Sequence, residues 1–234
     1  MFKKEFKRIF LALDTNNLKS AEKFIKLLKN DLAGIKIGKE LFSYYGPNII
    51  KKFKKYNLPI FLDLKFHDIP TTVFKAVKAI NTIKPNYLSI HSIGGNEMIK
   101  AAVNASSFTK ILSVSLLSHH DQKNIKEIGI NQPLKKVIKK LINNALKNKV
   151  SGLILAPKDL ELAKKINKKI NIFVPGIRPK KIKKNEHKRS LDPLSAIKKG
   201  ATYIIIGRPI TESKNPKKTL ELINKEIKNF LDKT

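Results

Sequence analysis

The stretch Ile60-Phe61-Leu62-Asp63-Leu64-Lys65-Phe66-His67-Asp68-Ile69-Pro70 decides how this chain is read. Its opening is apolar, branched and aromatic, the pattern of a strand buried on both faces, and Ile60 to Leu64 is assigned to that strand. The strand ends in charged residues. Pro70 then stands where the first turn of a helix tolerates proline, and a helix is expected to run to about Ile83. The stretch is one strand–loop–helix unit whose charges gather where the strand stops.

The same unit recurs on both sides. Upstream, Ile9 to Leu13 and Ile35 to Ile37 read as the first two strands, with helices over Leu18 to Leu28 and about Glu40 to Tyr56. Downstream, strands are expected at Tyr87 to Ile90, Ile111 to Leu116, Leu153 to Leu155, Ile170 to Val174 and Tyr203 to Ile206. Helices follow Gly94-Gly95, cover Pro133 to Lys147, begin near Lys158 and open at Pro216, and Ser118 to Gln132 reads as a polar connection. Eight strands in alternation with helices over 234 residues predict an α/β chain folded as a single (β/α)₈ TIM barrel, with 1–234 as one catalytic domain. A doubly wound open sheet is the alternative. It usually has fewer strands and often a glycine fingerprint after the first, where this chain has Asp14-Thr15-Asn16.

Composition narrows the function. There is no cysteine, hence no disulfide and no sulfur-based metal site. No apolar run reaches the roughly 18–20 residues of a membrane span, and the N-terminus lacks a signal-peptide pattern, so a cytoplasmic protein is expected. The formal net charge is +31, which raises the possibility of a nucleic-acid partner. The form of that charge argues against one. Arginine occurs only at positions 8, 178, 189 and 208, aromatics are 7%, and tryptophan is absent, whereas base readers rely on arginine forks and aromatic platforms. The lysines fall mostly at helix-surface spacings, as in Leu134 to Lys140. No nucleic-acid and no membrane partner is expected.

In such barrels the active site lies at the C-terminal ends of the strands. Those ends carry Asp14, Lys36, Asp63 with Lys65, His91, Ser115, Gly176-Ile177-Arg178 and Gly207-Arg208. Asp63 and Lys65 are two apart, so simple alternation places them on one face, and Asp68 follows on the loop. With Lys36 they form an alternating set of two ammonium groups and two carboxylates. It reads either as a structural salt-bridge network or as a lysine acid held charged beside a carboxylate that crowds an anionic substrate group. The glycines and arginines after the seventh and eighth strands suit a phosphate, which in these barrels recurs at those two loops. His91 reads as a buried structural histidine and His67 as support for the loop. His119-His120-Asp121 has poor geometry for a metal, so no metal site is expected.

Ala12-Leu13-Asp14, Ile35 to Glu40, Phe61 to Pro70, Pro175 to Pro179 and Ile206 to Pro209 together resemble orotidine 5′-phosphate decarboxylases of the bacterial type, over essentially the whole chain. The resemblance implies a cofactor-independent lyase that converts orotidine 5′-phosphate to UMP and CO₂ in pyrimidine biosynthesis. It implies that Asp14 and Lys36 hold the ribose hydroxyls, that Asp63 crowds the substrate carboxylate and that Lys65 delivers the proton. It implies a homodimer with shared sites, in which Asp68 reaches into the neighbouring subunit. Thr72 and Ser118 would contact substrate, and Arg178, Gly207 and Arg208 would bind phosphate, helped by the loop before Ser190. The chain departs from the family in two places: His187 stands where glutamine is usual and Ser118 where threonine is usual. The nearest rival is a metal-dependent barrel relative with the same Asp-x-Lys-x-x-Asp spacing.

Overall fold

The computed structural model describes residues 3–179 and 191–233. Eight strands pair in sequence order and close on themselves, every pair parallel. They are β1 (Ile9–Leu13), β2 (Gly34–Gly38), β3 (Ile60–Phe66), β4 (Tyr87–His91), β5 (Lys110–Val114), β6 (Gly152–Ile154), β7 (Asn171–Val174) and β8 (Tyr203–Ile206). Closure is set by β1 against β8, where Ile9 lies opposite Ile204 and Leu11 opposite Ile206. The expected barrel is therefore what forms, and the open sheet is not.

Helices occupy the connections: α1 (Leu18–Leu28), α2 (Lys39–Tyr45), α3 (Asn48–Phe53), α4 (Pro70–Ile83), α5 (Gly95–Ala105), α6 (Gln122–Glu127), α7 (Leu134–Lys147), α8 (Leu160–Ile166), α9 (Pro193–Lys198), α10 (Arg208–Thr211) and α11 (Pro216–Leu231). The sequence reading names no helix at α9 or α10, and it differs at two further places. The helix expected over Glu40 to Tyr56 is broken, because Gly46 adopts φ 56° and caps α2 before Pro47 restarts the chain as α3. The polar connection from Ser118 holds α6, started by a capping box in which Asp121 accepts from Asn124 N–H and the Asn124 side chain accepts from Asp121 N–H.

Side chains divide by strand face. Leu11, Leu13, Ile35, Ile37, Leu62 and Ile90 point outward and join the helices in the larger core. Phe10, Ala12, Phe61, Leu112, Val114, Ile154, Phe173 and Ile205 fill the interior. The N-terminal half of that interior is packed with rings: Phe10 lies 5.2–6.5 Å, centroid to centroid, from Phe61, Tyr87, Phe173 and Tyr203. Above this layer the inward positions change character from aromatic to charged. Among the described residues no helix is long and apolar enough to cross a membrane.

Candidate active site

The inward positions above the rings are Lys36 on β2, Asp63 and Lys65 on β3, Ser89 and His91 on β4, with Asp14 just past β1. Buried charges are tolerated only when paired, and these are paired in alternation. The Lys36 ammonium donates to Asp14 Oδ1 at 2.7 Å and lies 3.9 Å from Asp63 Oδ2. The Lys65 ammonium donates to both oxygens of Asp63, at 2.8 and 2.9 Å. Lys36 and Asp63 are buried, Lys65 is partly so, and Asp14 opens to solvent. The four charges form one chain, Asp14–Lys36–Asp63–Lys65, running from the rim inward and back.

Burial works against the charge on Asp63, but the Lys65 and Lys36 ammoniums outweigh it, and hydrogen bonds from Lys65 and Ser89 add to them. The carboxyl is held below the usual carboxylate range. His91 is pushed the other way, down to about 4, first by burial and then by the positive surroundings of His67, Lys65 and Lys39. It is neutral at pH 7 and leaves the charge of the cluster balanced. Its ring lies 5.6 Å from that of His67 at a tilt of 51°, and with Lys65 and Asp63 among the charges acting on it the histidine read as structural borders the charged cluster.

Gly38, the last residue of β2, makes the Lys36–Asp14 contact possible. A Cβ there would lie 2.9 Å from both Asp14 Oδ1 and the Lys36 ammonium. Gly207 brings the loop after β8 against the same rim, since a Cβ on it would stand 3.7 Å from Asp14 Oδ2. Arg208 opens α10 beside it. Arg178 follows β7, where its N–H donates to Leu191 O, and the two arginines line one cleft together with Asp192, Pro193 and Glu212. Of the phosphate candidates, Gly207 adjoins Asp14, while among the described residues the cleft shared by the two arginines is lined by residues of α9, α10 and α11 and not by the charged chain.

Other sequence candidates lie apart from this cluster. Asp68 is exposed on the loop before α4, its carboxylate accepting from Ile69 N–H at 2.7 Å, and among the described residues it joins no ion pair. Thr72, in the first turn of α4, and Ser118, in the turn after β5, are also exposed. His187 lies outside the described residues, as do Arg189 and Ser190. His119 and His120 stack at 4.4 Å, and among the described residues no group of three or more His, Cys, Asp or Glu side chains converges to hold a metal.

Two features escaped the sequence reading. Lys65 does not sit in an ordinary strand: its φ is 55°, and β3 slips in register against β4 between Leu62 and Phe66. Ser89 is fully buried and donates to Asp63 Oδ1 at 2.8 Å. A serine in mid-strand carries no spacing signal that separates it from a packing residue.

Known proteins agree with this geometry. A family model described as orotidine 5′-phosphate decarboxylase / HUMPS matches residues 7–223. The orotidine 5′-phosphate decarboxylase of Methylacidiphilum infernorum is 37% identical over 206 residues, covering 87% of this chain and 90% of its own. That of Nitrosomonas eutropha is 34% identical over 227 residues, covering 96% and 98%. The crystal structure of orotidine 5′-phosphate decarboxylase from Lactobacillus acidophilus matches with a TM-score of 0.82 at 31% identity, over 94% of this chain and 99% of that one. With a barrel of this topology, an alternating Asp–Lys–Asp–Lys chain in its mouth and a match over nearly its whole length, the chain belongs to the orotidine 5′-phosphate decarboxylase / HUMPS family.

Proposed function

We propose that this chain decarboxylates orotidine 5′-phosphate to UMP and CO₂, the step that completes UMP synthesis, and that it does so without a cofactor. The observation that carries the reading is the position of Lys36: its ammonium occupies the space between the Asp14 and Asp63 carboxylates that a bridging cation would otherwise fill. The cluster supplies a proton and fixed charge instead. The C–C bond to the carboxylate breaks and leaves its electron pair on the ring carbon, in an orbital that the ring π system does not delocalise. Fixed charge must stabilise that pair. The Lys65 ammonium, hydrogen-bonded to Asp63, lies against it and then donates the proton that completes UMP. Asp63, itself held ionised, crowds the departing carboxylate and favours its loss as neutral CO₂.

Asp14 and Lys36 hold the ribose hydroxyls, and Arg178, Gly207, Arg208 and His187 hold the phosphate. Phosphate binding remote from the reacting carbon is then available to orient the ring. Thr72 and Ser118 contact substrate. The working form is a homodimer in which Asp68 serves the partner's site. In support, Ile69 and Phe74 beside Asp68, and Ile93 after β4, are large apolar side chains left exposed next to the barrel mouth. Residues 1–234 act as one catalytic domain, in the cytoplasm and with no nucleic-acid partner. The test is to mix the protein with orotidine 5′-phosphate in EDTA and follow loss of orotate absorbance. Turnover that survives exhaustive chelation supports the reading. Turnover of orotidine 5′-phosphate that needs a divalent ion overturns the cofactor-free reading, and absence of turnover favours the metal-dependent sugar-phosphate relative.

A further inference from the structure

Lys65 holds a backbone conformation that a side-chain-bearing residue adopts only when its surroundings impose it. At φ 55° it lies in the left-handed region, which is unfavourable for a residue that carries a Cβ. The β3–β4 ladder does not impose it. Leu62 is opposite Leu88 and Phe66 opposite Ile90, so β3 advances four residues while β4 advances two. Two residues of β3 are thus left over in the ladder, and the Lys65 N–H faces the Ser89 side chain instead of a strand carbonyl.

Ser89 takes that N–H. Its hydroxyl oxygen accepts from Lys65 N at 2.9 Å and its proton goes to Asp63 Oδ1 at 2.8 Å. The side chain is fully buried, so both bonds form out of reach of water. One hydroxyl thus ties the backbone of the lysine to the carboxylate that receives the same lysine's ammonium. We propose that Ser89 is a positioning residue for Lys65, fixing its left-handed backbone and the orientation of the Asp63 carboxylate so that the ammonium points into the barrel mouth. The proposal rests on Lys65 being the proton donor of the decarboxylation proposed above. A positioned donor loses about 100-fold in rate when displaced by about 1 Å.

The test compares Ser89→Ala, which removes both hydrogen bonds, with Ser89→Thr, which keeps the hydroxyl, against the wild-type chain. In Ser89→Ala we expect kcat for orotidine 5′-phosphate to fall about 100-fold, with KM and UMP binding within about threefold of wild type because the phosphate and ribose contacts lie elsewhere. Ser89→Thr should retain at least about a tenth of wild-type kcat. Amide hydrogen exchange at Lys65 should speed up at least about tenfold in Ser89→Ala and not in Ser89→Thr. Three results overturn the proposal: kcat of Ser89→Ala within threefold of wild type, equal losses in the two variants, or unchanged exchange at Lys65. Equal weakening of UMP binding and turnover means general disruption and also overturns it. If the wild-type chain turns over no orotidine 5′-phosphate, the decarboxylase reading fails on that result alone, and the exchange measurement still decides whether Ser89 holds the Lys65 backbone.

Discussion

Replacing Lys65 by alanine and, separately, by glycine tests the chemistry and the backbone at once. Both variants remove the ammonium that bridges the two oxygens of Asp63. Breaking a buried pair costs about 3–5 kcal/mol. Here Asp63 keeps Ser89 at 2.8 Å and Lys36 at 3.9 Å, and Lys65 is partly exposed, so about 2–3 kcal/mol is expected. At this chain length that lowers the melting temperature by about 4–12 °C. The loss is common to both variants and cancels between them. What remains is φ 55°, which penalises alanine by about 1–2 kcal/mol but not glycine. Glycine gives back about 0.4–1 kcal/mol through its freer unfolded chain. Lys65→Gly should therefore be the more stable of the two by about 0.5–1 kcal/mol, or about 1–4 °C. Thermal melts at one scan rate read this difference, and orotate absorbance reads turnover. Loss of a proton donor and of fixed charge together should reduce kcat at least about 10⁴-fold in both. An alanine variant as stable as the glycine variant would refute the strained backbone. Substantial turnover in either folded variant would remove Lys65 from the proton-donor role.

Three further outcomes are expected. Arg208→Ala should raise KM and also lower kcat, and the nucleoside orotidine should be a very poor substrate. Equal turnover of orotidine and its phosphate would disprove the phosphate site. Asp63 is held below its unfolded value of about 3.9, so its contribution to stability is present above that pH and is lost as pH falls through the lower folded value. Urea midpoints from pH 7 to 3 should consequently fall more steeply in wild type than in Asp63→Asn, and parallel curves would contradict the assignment. Mixing inactive Lys65→Ala and Asp68→Ala proteins should restore roughly a quarter of wild-type activity, since half the dimers are hybrids and half their sites are intact. Verified subunit exchange with no recovery would place Asp68 in its own subunit's site.

Much of the molecule was legible because its charges violate the local pattern. Asp14 follows, and Lys36, Asp63 and Lys65 interrupt, otherwise apolar strands, and closing those strands into one barrel brings the four into contact. The pairing of Asp63 with Lys65 was foreseen from simple alternation, yet it is made across a bulge with a left-handed lysine, which alternation cannot anticipate. Ser89 was invisible because its importance comes from the strand opposite, not from its neighbours in sequence. The break at Gly46-Pro47 was present in the sequence and lost in an apolar periodicity that continues across it. Thr72 and Ser118 entered through family resemblance, whereas Asp68 was read from spacing as the second carboxylate of the set, a place that Asp14 takes within one subunit; all three sit on the surface.

The ring-packed half of the barrel has a consequence for the order of events. With Phe10, Phe61 and Phe173 closing the interior beneath Lys36 and Asp63, the site is a cup with one opening and no rear exit. Under the proposed reaction, CO₂ is released beside Asp63, deeper than the ribose and phosphate that occupy the rim. It must leave past the nucleotide that produced it. While it lingers it can recombine with the carbanion, so the forward reaction depends on a proton that arrives before the gas returns. Lys65, already in place at the departure point, wins that race by proximity.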